Sequence, residues 1–263
     1  TEAQLMFQKE VRNFAQRELT AGAKERAKMD RVPAEIIKKV AGQGYMGVGI
    51  AEKYGGQPAD FITWGILTEE LARVDLGPGM LPTFSMGWYL ALEHCVPEVP
   101  QEWIPAIVKG ERLGCYGVTE PNFGSDVASM QTRAVKDGDY YIINGEKTST
   151  TFGLIADGIL VWASTNPEAR GRGLSCFVVP LSSPGITRTP IPSCGCHVFA
   201  RSSEMFDSVR IPARNIVGGE GTAFGLFGEV YAVIRAGEML APLAQARTSI
   251  DEAIEYSRNR MAF

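Results

Sequence analysis

Residues 115–126 read Cys115-Tyr116-Gly117-Val118-Thr119-Glu120-Pro121-Asn122-Phe123-Gly124-Ser125-Asp126. Chemically this is the end of a strand, a proline turn, and a loop of small and polar residues. Backbone amides and hydroxyls exposed in such a loop can bind a phosphate or the polar edge of a ring. The same composition also suits an ordinary surface turn. The stretch stands at a change of pattern, because the chain before it carries helical period and the chain after it does not.

On the N-terminal side, Phe7, Val11 and Phe14 fall on one helical face. Pro33 suits a first helical turn leading into Ile36, Ile37 and Val40, with Gly42 and Gly44 as the stop. Trp64, Leu67, Leu71 and Val74 make a buried stripe, which places Glu69, Glu70 and Arg73 on other faces. Trp103, Ile104, Ile107 and Val108 make a shorter one that ends at Gly110. Trp88 and Tyr89, after the Gly/Pro-rich stretch 76–82, read as core aromatics or as groups shaping a cavity.

On the C-terminal side, turn signals take over. Asp137-Gly138 separates Ala134-Val135 from Tyr140-Tyr141-Ile142-Ile143, and Asn144-Gly145 supplies a second turn. Residues 159–162, 176–179 and 204–210 are further strand candidates, the last closed by Pro212. Short strands separated by Gly, Pro and Asp predict a small antiparallel barrel or sandwich. From Gly221 helical period returns through Phe224, Phe227, Val230, Tyr231, Ile234, Met239, Leu240, Leu243, Ile250 and Ile254. This predicts a long, largely buried helix that Pro242 kinks or breaks.

Composition narrows the function classes. The chain has 263 residues, of which 45% are hydrophobic and 21% charged, enough to bury a core without staples. With 26 basic and 30 acidic residues and no basic tract, it offers nucleic acid no footprint. No apolar run reaches membrane-span length, and the first residues lack the apolar core of a secretory signal. Five cysteines without a regular framework predict reduced thiols and a cytoplasm-like compartment. For a processed eukaryotic chain the expected compartment is the mitochondrial matrix. The two histidines, His94 and His197, leave little for histidine-based catalysis. Cys194-Gly195-Cys196-His197 could open a zinc site, but a closed site needs four ligands, so no metal is expected.

Four pieces in order, Val118-Thr119-Glu120-Pro121, Gly124-Ser125-Asp126, Tyr141-Ile142-Ile143-Asn144-Gly145-Glu146-Lys147 and Val209-Arg210-Ile211-Pro212, resemble the acyl-CoA dehydrogenase family in sequence and separation. The resemblance covers essentially the whole chain. It implies an α+β multidomain fold with an N-terminal helical domain (1–111), a middle antiparallel β-barrel (112–220) and the beginning of a C-terminal helical bundle (221–263). It also implies that the sequence is C-terminally incomplete. Members hold FAD non-covalently and oxidise an acyl-CoA thioester to its α,β-enoyl form. A carboxylate takes the α-proton while a hydride leaves the β-carbon for flavin N5. The implied partners are an acyl-CoA substrate, an electron-transferring flavoprotein or similar acceptor, and further copies of the chain, usually making a tetramer.

Carried over by motif, Tyr116, Val118 and Thr119 border the flavin ring. Gly124 and Ser125 approach the pyrophosphate, where a side chain at Gly124 would clash, and Ser125 also touches the acyl-CoA. Thr151 lies near N5. Arg260 and Phe263 reach the FAD of a neighbouring subunit. Arg235 lies beside the acyl cavity and, within an apolar helix, is expected to have a partner. The chain departs from the pattern in three places. Ser149 stands where a flavin-stacking Trp is usual, with Phe152 nearby as partial aromatic cover. Asn122 and Phe123 replace small residues. Ile234 occupies one of the positions used for the catalytic carboxylate, so the base is unassigned. These departures motivate two alternatives: a non-catalytic partner subunit of a heteromeric enzyme, and a flavin oxidase or monooxygenase of the same fold.

Overall fold

The computed structural model describes residues 1–261. Six helices come first: α1 (Glu2–Glu18), α2 (Ala23–Arg26), α3 (Ala34–Gly42), α4 (Phe61–Ala72), α5 (Leu76–Leu92) and α6 (Glu98–Val108). Their starts follow local chemistry. Thr1 and Gln4 form a capping box on α1, Asp60 accepts from the Thr63 amide at 2.7 Å, and Asp75 caps α5. The Gly/Pro-rich stretch 76–82 is therefore helical, with Pro78 in the first turn, where its missing N–H costs nothing. Trp64, Leu67 and Leu71 are buried as their spacing predicts. Glu70, on another face, is also buried, at 1% exposed, and takes two bonds from Arg12, at 2.9 and 2.6 Å, plus one from Gln8. Trp88 is a core residue, wholly buried, with its Nε1 donating to Cys115 O at 3.2 Å.

Eight strands follow: β1 (Gly114–Gly117), β2 (Arg133–Asp137), β3 (Tyr140–Thr150), β4 (Gly158–Ser164), β5 (Leu174–Pro180), β6 (Ile186–Pro190), β7 (Ser202–Pro212) and β8 (Ile216–Val217). They form one sheet in the order β6-β7-β3-β2-β4-β5-β8, with β1 added beside β4. The expected antiparallel pairing holds for most of the sheet, with two parallel additions, because β1 and β2 both run parallel to β4. They lie one after the other on its edge, Gly117 beside Val161 and Arg133 beside Ser164. The Asp137-Gly138 hairpin joins β2 to β3 as expected. Asn144-Gly145 is not a second turn. It lies inside β3, where the register against β7 shifts and Gly145 takes φ 145°.

The helical layer and the sheet share one core. Gly114 of β1 lies so close to Trp88 that a Cβ would come within 2.1 Å of the indole, and Trp88 in turn meets Trp103, with ring centroids 5.2 Å apart. Burying a Trp such as Trp88 or Trp162 stabilises the fold by about 4–6 kcal/mol in area terms.

A single helix, α7 (Ala223–Asn259), closes the chain and continues through Pro242. Leu226, Val230, Val233, Ile234, Ala241 and Ala244 are buried, and Gly237 lets the helix approach Thr83 of α5. Arg73 and Asp251, 2.8 Å apart, tie it to α4, as does the Arg247–Glu69 pair. The expectation of a largely buried helix holds for one face only. Met239, Leu243, Ile250 and Ile254 are exposed.

Candidate functional site

The 115–126 segment is held from beneath by a buried ion pair. Lys147 is carried inward by the alternation of β3 and is wholly buried. Its Nζ donates to Glu120 Oε1 at 2.8 Å and to Val118 O at 3.1 Å. Glu120 also accepts from the amides of Gln131 (2.5 Å) and Thr132 (2.8 Å). Burial pushes the Lys147 ammonium down to about 8 against the pull of Glu120. Burial likewise opposes the Glu120 charge, but Lys147 and the amides outweigh it and hold the carboxyl below its usual range. Reciprocal bonds between Glu120 and Phe123 close the proline turn, and the Thr148 amide donates to Thr119 O at 2.8 Å. The segment 118–120 is thus clamped to β3 by a main-chain bond and an ammonium.

This clamp brings most of the expected residues together. Val118 is buried, Thr119 half-buried, and Gly124 and Ser125 exposed on the loop, while Ser149 and Thr151 lie at the end of β3. The amides of Gly124, Ser125 and Asp126 find no acceptor among the described residues. A Cβ on Gly124 would meet nothing closer than Thr119 Cγ2 at 4.0 Å, so no clash arises within the chain and the space over that backbone is open. Three unspent amides beside an open glycine suit an anionic group such as a pyrophosphate. Phe123 is half-buried at the loop tip.

Other expected residues lie apart. The Tyr116 side chain turns into the core, donating to Phe84 O at 2.9 Å, so only its backbone remains for a ligand. Arg235 is exposed on α7 and has no carboxylate partner among the described residues. Its guanidinium lies 5.6 and 5.9 Å from the rings of Phe227 and Tyr231, so the partner expected for it is aromatic. Arg260 is exposed and donates to the Tyr256 hydroxyl. At 1.5 Å per residue it stands about 37 Å along the helix from Arg235. Phe263 lies outside the described residues. Phe152 does not offer a free face. It is wholly buried, with Phe84 and Phe199 at 4.8 and 5.8 Å, and takes φ 64°, while Ser149 takes φ 60°.

No base emerges at the expected position. Ile234 is 3% exposed, and Glu229 is engaged by His94 at 3.1 Å. Glu238 is raised by burial, with Arg235 opposing. Among the described residues no three His, Cys, Asp or Glu side chains cluster as metal ligands, and Cys194 and Cys196 are exposed free thiols. Sequence reasoning missed the Lys147–Glu120 pair and the buried Glu204. Strand alternation puts Lys147 and Glu204 in inward phase and could have flagged both as buried charges, whereas Glu120, in a loop, gives no such signal.

Two family profiles match the chain, acyl-CoA dehydrogenase, N-terminal domain, over residues 1–111 and acyl-CoA dehydrogenase, middle domain, over residues 115–209. The acyl-CoA dehydrogenase of Bacillus subtilis (strain 168) is 31% identical over all of this chain and 70% of its own length. The mitochondrial short-chain specific acyl-CoA dehydrogenase of Homo sapiens is also 31% identical, over all of this chain and 64% of its own length. The structure of butyryl-CoA dehydrogenase from Megasphaera elsdenii superposes with a TM-score of 0.92 at 29% identity, over all of this chain and 70% of that one. The chain therefore spans about two thirds of the length of these relatives.

Proposed function

This chain belongs to the acyl-CoA dehydrogenase family, a family of FAD-dependent oxidoreductases, and from that premise we propose that it binds FAD non-covalently and serves the α,β-dehydrogenation of an acyl-CoA thioester. The observation that carries the reading is the clamped loop, with open amides at 124–126 and the Lys147 ammonium fixing the Val118–Glu120 backbone beneath it. In the proposal, Val118 and Thr119 border the flavin ring, Thr151 stands near N5 and Ser149 takes the place of the flavin-stacking Trp. Gly124 and Ser125 take the pyrophosphate, with Ser125 also toward the acyl-CoA. Arg235 is assigned to the acyl side, and Arg260 to the FAD of a second copy. Bound FAD supplies the hydride acceptor. The chain's own work is to present main-chain donors, keep a buried positive charge under the loop and exclude water with the Phe84–Phe152–Tyr116 wall. The division 1–111, 112–220 and 221–263, an electron-transferring flavoprotein as acceptor, and a tetramer belong to the same proposal.

The test is a visible spectrum of the purified protein before and after FAD addition, then anaerobic dye reduction with a panel of acyl-CoAs. A folded protein that takes up no flavin refutes the reading. A second reading, a partner subunit that binds FAD or scaffolds without supplying the base, is favoured by the buried, apolar Ile234. It expects no acyl-CoA oxidation by this chain alone and recovery with a cognate subunit, and full activity of the isolated chain excludes it. Peroxide formation during turnover would instead mark an oxidase.

A further inference from the structure

Glu204 of β7 is wholly buried and stands, in register, between two cations that both turn away from it. Its cross-strand neighbours are Lys147 on β3 and Arg188 on β6. Directly opposed residues share a face of the sheet, so either could have paired with it. Lys147 is engaged by Glu120 and Val118 O. Arg188 Nη1 reaches instead to three carbonyls of the β3–β4 connection, Gly153 (3.1 Å), Leu154 (3.3 Å) and Ala156 (3.3 Å). The Glu204 carboxyl receives only hydroxyls: Thr150 Oγ1 at 2.5 Å and Ser202 Oγ. From β1 it faces the Cys115 thiol, which burial keeps neutral, and Asp157 borders the same region. Burial pushes Glu204 up to about 7, while the two hydroxyls and Arg188 pull it down.

The connection rests directly on this group. A Cβ on Gly153 would come within 2.4 Å of Glu204 Oε1 and 2.1 Å of Ser202 Oγ. The same connection follows Ser149 and includes Thr151 and Phe152, and the positive φ angles of Ser149 and Phe152 persist only while their surroundings hold them. Its outer side is tied to the β6–β7 loop by the Phe152 amide to Phe199 O (2.6 Å) and the Leu154 amide to Ala200 O (3.1 Å).

We propose that Glu204 is a positioning residue whose protonation sets the seat of the 149–156 segment and, through it, the surroundings of the flavin, an inference that rests on the flavin reading above. With Glu204 neutral, the carboxyl needs no cation and Arg188 stays on its three carbonyls. When the proton leaves to solvent, a charge remains in a low-dielectric site. Arg188 is the nearby cation not held by a carboxylate, and turning toward Glu204 takes it from Gly153, Leu154 and Ala156. The segment beside Thr151 then loosens. No covalent bond other than the O–H is broken.

The experiment measures FAD binding by fluorescence quenching and the visible spectrum of bound flavin from pH 5.5 to 9, for the purified protein and Glu204→Gln. Each unit by which Glu204 holds its proton more tightly in the FAD-bound protein gives a tenfold loss of affinity across the titration, and the expected loss is about threefold to tenfold. It should have a midpoint near neutrality and be accompanied by a shift of the flavin band. Glu204→Gln, neutral at every pH, should bind FAD with the low-pH affinity throughout. Far-UV circular dichroism establishes that the variant is folded. A variant that keeps the wild-type titration, or a wild-type protein that binds FAD without any titration, overturns this proposal alone. A wild-type protein that binds no FAD at any pH overturns the flavin reading and this proposal with it.

Discussion

Replacing Lys147 with Met removes the ammonium beneath the 118–126 loop while keeping the bulk of the side chain. Glu120 would be left buried with two amide donors, from Gln131 and Thr132, and no cation. Breaking a buried pair from one side costs about 3–5 kcal/mol, and the two surviving amide bonds place this case near the lower end, at about 3 kcal/mol. The cost should depend on pH. In the native protein Glu120 is held below its usual range, so its contribution is present above the unfolded carboxylate pKa and is lost as pH falls through the folded one. In Lys147→Met the carboxyl is raised instead, and acid should then relieve the burden. Urea unfolding at pH 8 and pH 5 measures both effects, with the larger loss expected at pH 8. Lys147→Met/Glu120→Gln should recover most of it, because the charge that lacked a partner is gone. A loss under about 1 kcal/mol at pH 8, or a double variant no more stable than the single one, would refute the claim that the pair supports the loop.

Glu204, raised from 4.5 to about 7, binds its proton more tightly folded than unfolded. Its contribution is therefore full below pH 4.5 and lost as pH rises to about 7, a change of about 3 kcal/mol that Glu204→Gln should remove from a pH series of melting curves. Gly114→Ala drives a methyl into the Trp88 indole, 2.1 Å away, and should cost about 1–3 kcal/mol with a perturbed near-UV tryptophan signal. Arg12→Ala leaves Glu70 buried with Gln8 as its remaining side-chain donor, and denaturant unfolding should show a loss of about 1–3 kcal/mol that Arg12→Lys restores only in part.

The layers of this fold were legible because their signals are periodic and local. The stripe of α4, the hairpin at Asp137-Gly138 and the strands around 159–162 and 176–179 stand where their residues put them. The errors came where local chemistry has two outlets. Asn144-Gly145 supplies positive φ to a turn or to a bulge, and pairing with β7, some sixty residues away, selects the bulge. On α7 the apolar period marks which residues avoid water, but carries no information about what covers them, so Met239 and Leu243 were read as core. The 115–126 loop and its neighbours Ser149 and Thr151 were found through motifs. Their support was not: the alternation of β3 and β7 turns Lys147 and Glu204 inward, but that Lys147 meets Glu120 of the loop is decided by contact between segments distant in sequence.

The loop of residues 118–132 leaves the sheet where Gly117 pairs with Val161 and re-enters it where Arg133 pairs with Ser164, on one edge of β4. Its two ends are therefore anchored about 10 Å apart by strand rise, as in an Ω-loop. Closure is set by pairings with a strand that comes later in the chain, so the loop's shape depends on β4. Once the anchors exist, added length costs little, about 0.6 kcal/mol for each doubling. Residues at the tip, around Asn122 and Phe123, can then change in number or kind while the clamp at Glu120 and Lys147 keeps the base of the loop in register. The loop surface is thus separable from the frame that holds it, and its tip can vary without disturbing the sheet.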